Sequence, residues 1–187
     1  MNQVLTLWDN DTKNIFNEAF LRKRATAVAL PIKGTDAEAI KTLIDSFLGR
    51  EDALGLAAPQ IGIGKQIIAF RSGGLDDPEQ APLKDNFDVL INPRITARGG
   101  KKILAWEGCL SCPEIQAEVE RDEEIKVSAI NRQGKAVSKK YRGLLARILQ
   151  HEIDHLEGLL ILDRSVQIEI PKRKKLLSLF ANMNSEK

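Results

Sequence analysis

The spacing of apolar residues changes twice along this chain of 187 residues, and that change restricts it to a mixed α+β fold. Thr35 followed by Glu38 reads as a capping box, after which Ile40, Leu43, Ile44 and Phe47 recur at helical spacing until Gly49. A helix is expected over 36–48, preceded by a weaker helical pattern with Ile15, Phe16, Ala19 and Phe20 on one side. The middle of the chain then reads as strands. Lys65–Arg71 and Asp88–Asn92 are short apolar runs, and Ile125, Val127 and Ala129 alternate with polar residues. Asn131 to Gly134 predicts a hairpin turn into a further strand at Ala136–Tyr141, and Ser72–Asn86, with Gly73, Gly74, Pro78 and Pro82, predicts a loop. The helical period returns at Gly143, where Leu144, Leu145, Ile148, Leu149 and His151 form a stripe in a segment running to Gly158. Leu159–Leu162 reads as another strand, and Pro171 opens a basic terminal helix over 171–187 with Leu176, Phe180 and Met183 on one face. The expectation is a single α+β domain over 1–187: antiparallel or mixed β-sheets around the helix that carries His151 and His155, with N-terminal helices and a C-terminal helix.

Charge narrows the function. With 28 basic and 26 acidic side chains the chain is nearly balanced, which argues against a sequence-wide DNA-binding or membrane surface. Residues 1–30 contain Asp9, Asp11 and Glu18 and no uninterrupted apolar stretch, so neither an export signal nor a transit peptide is expected. Two cysteines, Cys109 and Cys112, do not make a disulfide framework. The expected location is a reducing cytoplasm, where metal or redox chemistry is the better use of a thiol.

His151-Glu152-Ile153-Asp154-His155 places two imidazoles four residues apart, on one helix face about one turn apart, as two ligands of one metal require. Glu152 between them can reach an activated water. They are the only histidines in the chain, so a carboxylate or a thiolate must complete such a site. A third histidine at the metzincin spacing is excluded by Ile161, and Glu169 is a poor candidate because it follows so closely. Cys109 is the best remaining ligand, with Gly108 beside it to let the backbone pass close to a metal or substrate. A closed, non-catalytic site of Cys109, Cys112, His151 and His155 remains as the competing arrangement, and a general HExxH metallopeptidase that cleaves internal amide bonds remains as the competing activity.

Three segments in order, Gly55-Leu56-Ala57-Ala58-Pro59-Gln60, Glu107-Gly108-Cys109-Leu110-Ser111 and His151–His155 with Leu156 and Gly158, resemble peptide deformylases over most of residues 21–165. The resemblance implies removal of the formyl group from the formyl-methionine of nascent polypeptides. It implies a metal on Cys109, His151 and His155, ferrous iron foremost, with zinc, nickel or cobalt as replacements. It makes Glu152 the acid–base residue, and Gln60 and the Leu110 N–H the oxyanion donors. Leu54, Leu144 and Ile148 match the methionine pocket, Gly55 the edge that pairs with the peptide, and Glu107 and Gly108 belong to the same substrate-binding set. The basic run Lys172-Arg173-Lys174-Lys175 resembles C-terminal helices that contact the ribosome. This chain departs from the pattern at Ala53, Cys112 and Gln116, and residues 1–20 form an atypical N-terminal segment.

Overall fold

The computed structural model describes residues 3–9, 12–73 and 86–170. Two short strands, β1 (Trp8–Asp9) and β2 (Thr12–Lys13), pair ahead of helix α1 (Ile15–Leu21). Asn14 caps α1 by accepting the Asn17 N–H at 3.0 Å. Helix α2 (Gly34–Leu48) follows. A six-stranded sheet then runs in the order β3 (Gly55–Ala57), β4 (Ile67–Arg71), β5 (Phe87–Cys109), β6 (Cys112–Asn131), β7 (Ala136–Arg142), every pair antiparallel. Its sixth strand, β8 (Ser165–Glu169), pairs with the first half of β6 while β7 pairs with the second. A 3₁₀ turn, Ala58–Ile61, continues from β3, and helices α3 (Gly143–Leu156) and α4 (Ile161–Arg164) lie between β7 and β8.

The run Ile67-Ile68-Ala69-Phe70 is continuously apolar because β4 is covered on both faces. Ile67 and Ala69 join Ile40, Leu43 and Phe47 of α2, whereas Ile68 and Phe70 join Ile148, Leu149 and Ile153 of α3. Each large side chain buried in this way contributes about 1.5–3 kcal/mol. A third cluster joins Leu7 and Leu21 to Cys112, Ile115, Ala117 and Val119 of β6 and to Leu160 and Ile161.

Three expectations change. Helix α2 begins at Gly34 with Lys33 as its cap and no side-chain cap bond, so Thr35 lies inside the first turn instead of closing it. Leu159–Leu162 is not a strand: Asp163 accepts the Leu160 N–H at 2.8 Å and closes a helical turn over Ile161–Arg164, with the strand following it. Four apolar residues alone do not distinguish the two. The strand expected at 88–92 extends to Cys109, through a stretch so exposed that no apolar alternation marks it. The basic terminal helix at 171–187 and most of the loop expected at 72–86 lie outside the described residues.

Candidate metal centre

β5 ends at Cys109 and β6 begins at Cys112, leaving Leu110 and Ser111 as the tip of a long hairpin. Helix α3 presents His151 and His155 to that tip, with ring centroids 5.0 Å apart. One ligand atom from each of Cys109, His151 and His155 lies within 4.8 Å of the others, and Cys109 Sγ is 3.3 Å from His155 Nε2. Bonds of 2.0–2.3 Å to a tetrahedral ion set its donors about 3–4 Å apart, so the trio fits one with little closure. Glu107 Oε2 lies 3.0 Å from His151 Nδ1, which orients the ring and leaves Nε2 as the nitrogen that could meet an ion. Cys112 is not in this ligand group; it is fully buried in the third apolar cluster. The closed four-ligand arrangement therefore does not form.

Glu107 itself is saturated. Its Oε1 accepts from Arg121 Nε at 3.0 Å and Arg147 Nη1 at 2.7 Å, and its Oε2 accepts from Arg121 Nη2 at 3.0 Å. Burial would push the carboxyl up, but hydrogen bonds from His151 and Arg121, with the Arg121 charge, hold it at about 2. Arg121 also bonds Asp154, which Arg164 Nη2 reaches at 3.0 Å. Sequence reasoning missed Arg121, Arg147 and Asp154. A signal existed: Arg121 stands in phase with the buried Ile115, Ala117 and Val119, a charge at an inward-facing strand position.

Glu152 is buried, and its Oε2 has no protein partner. Burial pushes its carboxyl up despite the nearby histidines. A Cβ on Gly55 would come within 2.4 Å of Glu152 Oε1, so glycine is what lets β3 pass over this carboxylate. Gln60 Oε1 accepts the Ala57 N–H at 2.8 Å, which turns Gln60 Nε2 toward Cys109 Sγ at 3.8 Å and Ser111 Oγ at 3.4 Å. The Cys109 thiol is held well below its usual range, chiefly by a hydrogen bond from Cys112, with burial opposing and the histidines assisting.

These groups meet at a cavity of about 610 Å³. Leu54, Gly55, Gln60, Glu107, Gly108, Cys109, Leu110, Leu144, Ile148, His151 and Glu152 all line it; His155 does not and sits behind Cys109. Trp106, Glu114 and Gln116 also form its walls, with Trp106 40% exposed at the rim. Two histidines and a glutamate on one helix, facing a thiol at a hairpin tip and opening on a cavity, define a hydrolase site of the HExxH class.

A polypeptide deformylase family model matches residues 14–171. The peptide deformylase of Desulforudis audaxviator is 39% identical over 160 residues, 86% of this chain and 95% of that one. The crystal structure of the Thermotoga maritima peptide deformylase matches with a TM-score of 0.72 at 34% identity, over 88% of this chain and 99% of that one. A Met-Ala-Ser-bound class I type b peptide deformylase from Acinetobacter baumannii matches with a TM-score of 0.71 at 30% identity, over 88% and 98%. The chain belongs to the polypeptide deformylase family, which implies a divalent metal.

Proposed function

We infer that this chain hydrolyses the N-formyl group of formyl-methionyl polypeptides and releases formate. The observation that carries the chemistry is the convergence of Cys109, His151 and His155 beside an unpartnered, buried Glu152 at the cavity wall. Cys109, His151 and His155 would hold a divalent ion, which when bound would supply Lewis acidity toward a water and the formyl carbonyl. Fe²⁺ is the proposed ion, with Zn²⁺, Ni²⁺ or Co²⁺ able to replace it on one thiolate and two imidazoles. Glu152, its proton affinity raised by burial, takes the proton of the attacking water and returns it to the departing amine. Gln60 Nε2 and the Leu110 N–H are the proposed oxyanion donors; the Gln60 amide is already turned toward the site by Ala57. Loss of one such donor costs about 100- to 1000-fold in rate.

Leu54, Leu144 and Ile148 offer apolar wall for the methionine side chain, and Gly55 and Gly108 line the same cavity where the peptide backbone would pass. β3 ends the sheet path among the described residues, and its outer edge is the proposed pairing edge for an extended peptide. Glu107 acts here by orienting His151. The peptide in the Acinetobacter baumannii structure, Met-Ala-Ser, is what deformylation of formyl-Met-Ala-Ser leaves. The proposed setting is the cytoplasm, with residues 1–187 acting as one catalytic domain. Among the described residues no helix is long and apolar enough to cross a membrane. The proposed ribosome contact rests on the basic run Lys172–Lys175, whose clustered charge suits phosphate.

Formate release from formyl-Met-Ala-Ser by the metal-loaded protein tests this reading. Glu152→Gln should keep its metal and lose activity by at least about 100-fold. An intact, metal-loaded protein that releases no formate overturns it.

A further inference from the structure

Cys112 takes no part in the ligand trio or in the proton transfers, yet it is the cross-strand partner of Cys109 at the hairpin tip. Directly paired residues of an antiparallel hairpin project to the same face, and both cysteines pack in the cluster around Ile115, Ala117 and Leu160. Both sulfur-bearing residues line the cavity, but their exposures differ: Cys109 is part-exposed, whereas Cys112 is fully buried. A small oxidant entering the substrate cavity therefore meets Cys109 first, with a second thiol in reserve.

We propose that Cys109 and Cys112 form a reversible oxidation site, in which Cys109 is the peroxide-reactive thiol and Cys112 the resolving thiol. The proposal rests on Cys109 being a metal ligand, because its consequence is the loss of that ligand. Hydrogen peroxide oxidises the Cys109 thiolate to a sulfenic acid: the sulfur attacks one peroxide oxygen, the O–O bond breaks, and the second oxygen leaves as water after taking a proton. The Cys112 thiol then attacks the sulfenic sulfur, the S–O bond breaks, and a second water departs with the Cys112 proton, leaving a Cys109–Cys112 disulfide. Directly opposed Cβ atoms in a hairpin stand about 4.5–5.5 Å apart and a disulfide holds them about 3.5–4.5 Å apart, so a small closure at the two-residue tip suffices. Cys109 in a disulfide cannot be a thiolate ligand, so the metal leaves. A dithiol reductant reopens the site. Without Cys112 the sulfenic acid has no neighbouring thiol and proceeds to the irreversible sulfinic and sulfonic acids.

The test compares the metal-loaded full chain with Cys112→Val and Cys112→Ser, each treated with hydrogen peroxide and read by intact mass, free-thiol count, metal release to a chromogenic chelator, and formate release before and after dithiothreitol and metal. The unsubstituted chain should lose two hydrogens in mass and two free thiols, release its metal, and regain most of its starting activity on reduction and reloading. Both variants should instead gain two or three oxygens and regain little. A variant that does not fold leaves the other to decide, and the mass and thiol count of the unsubstituted chain decide without either. The proposal is overturned if the unsubstituted chain gains oxygens with no disulfide species, or if the variants recover as well as it does. Mass and thiol count do not depend on turnover, and an untreated protein that releases no formate counts against the deformylase reading alone.

Discussion

Tyr141 shows at the scale of one residue how burial sets a charge state. It is the only tyrosine in the chain and is 6% exposed, edge-on to Phe70 at 6.0 Å between ring centroids. Burial, with the Asp88 charge beside it, pushes its phenol up to about 12. The fold therefore favours the neutral form. Its contribution to stability is fully present below the unfolded value of about 10 and is lost as pH rises through about 12. A near-ultraviolet phenolate titration reports this group alone: the midpoint should lie near 12 in the native protein and near 10 in urea, and a native midpoint near 10 would count against the buried placement. Gly55 makes the complementary point, since its missing Cβ is what accommodates the Glu152 carboxylate.

At the scale of elements, the end of α3 fixes the register of the helix that carries both histidines. Gly158 N–H donates to His155 O at 3.2 Å and Leu159 N–H to Asp154 O at 2.9 Å, the paired bonds of a Schellman motif, with Gly158 at φ +77°. A Cβ there would meet the Arg22 carbonyl oxygen at 2.3 Å. Gly158→Ala combines a left-handed alanine, about 1–2 kcal/mol, with that contact, so we expect a loss of at least about 2 kcal/mol. Urea denaturation should show a lower midpoint with an unchanged slope. The atypical N-terminal segment also acts as an element: Leu5 N–H donates to Gln60 O at 2.7 Å and Leu7 N–H to Ser111 O at 2.9 Å. It thus ties the turn bearing Gln60 to the hairpin tip next to Cys109.

At the scale of the molecule, a buried ion network joins β5, β6, α3 and α4 through Glu107, Arg121, Arg147, Asp154 and Arg164. Arg121 is the inner member, and its removal leaves two carboxylates buried with one cation fewer. Arg121→Met should cost about 3–5 kcal/mol, whereas Arg164→Ala, at a side chain 47% exposed, should cost less than about 1 kcal/mol. Equal losses for the two in chemical denaturation would refute the ranking. Glu107 bonds His151 and Asp154 directly precedes His155, so the same network that stabilises the domain also holds these two imidazoles in place.

What was legible in the sequence was local. The 3.6-residue period around Ile148 and Leu149, the hairpin turn at Asn131–Gly134 and the four-residue interval between His151 and His155 follow from backbone geometry, which acts over a few residues and leaves its mark in residue order. The histidine count pointed to a thiolate partner by elimination. Long-range choices left weaker marks. That β5 runs on to Cys109 could not be read from residues facing water on both sides, and Asp163 made a helical turn of a segment whose composition suits a strand. The cavity walls at Trp106 and Gln116, the closure of Arg121 on Glu107 and Asp154, and the pairing of Cys109 with Cys112 bring together groups whose partners lie on different elements. Such contacts arise only when the sheet curls and α3 packs against it, because the low-dielectric surroundings that strengthen them exist only in the folded chain.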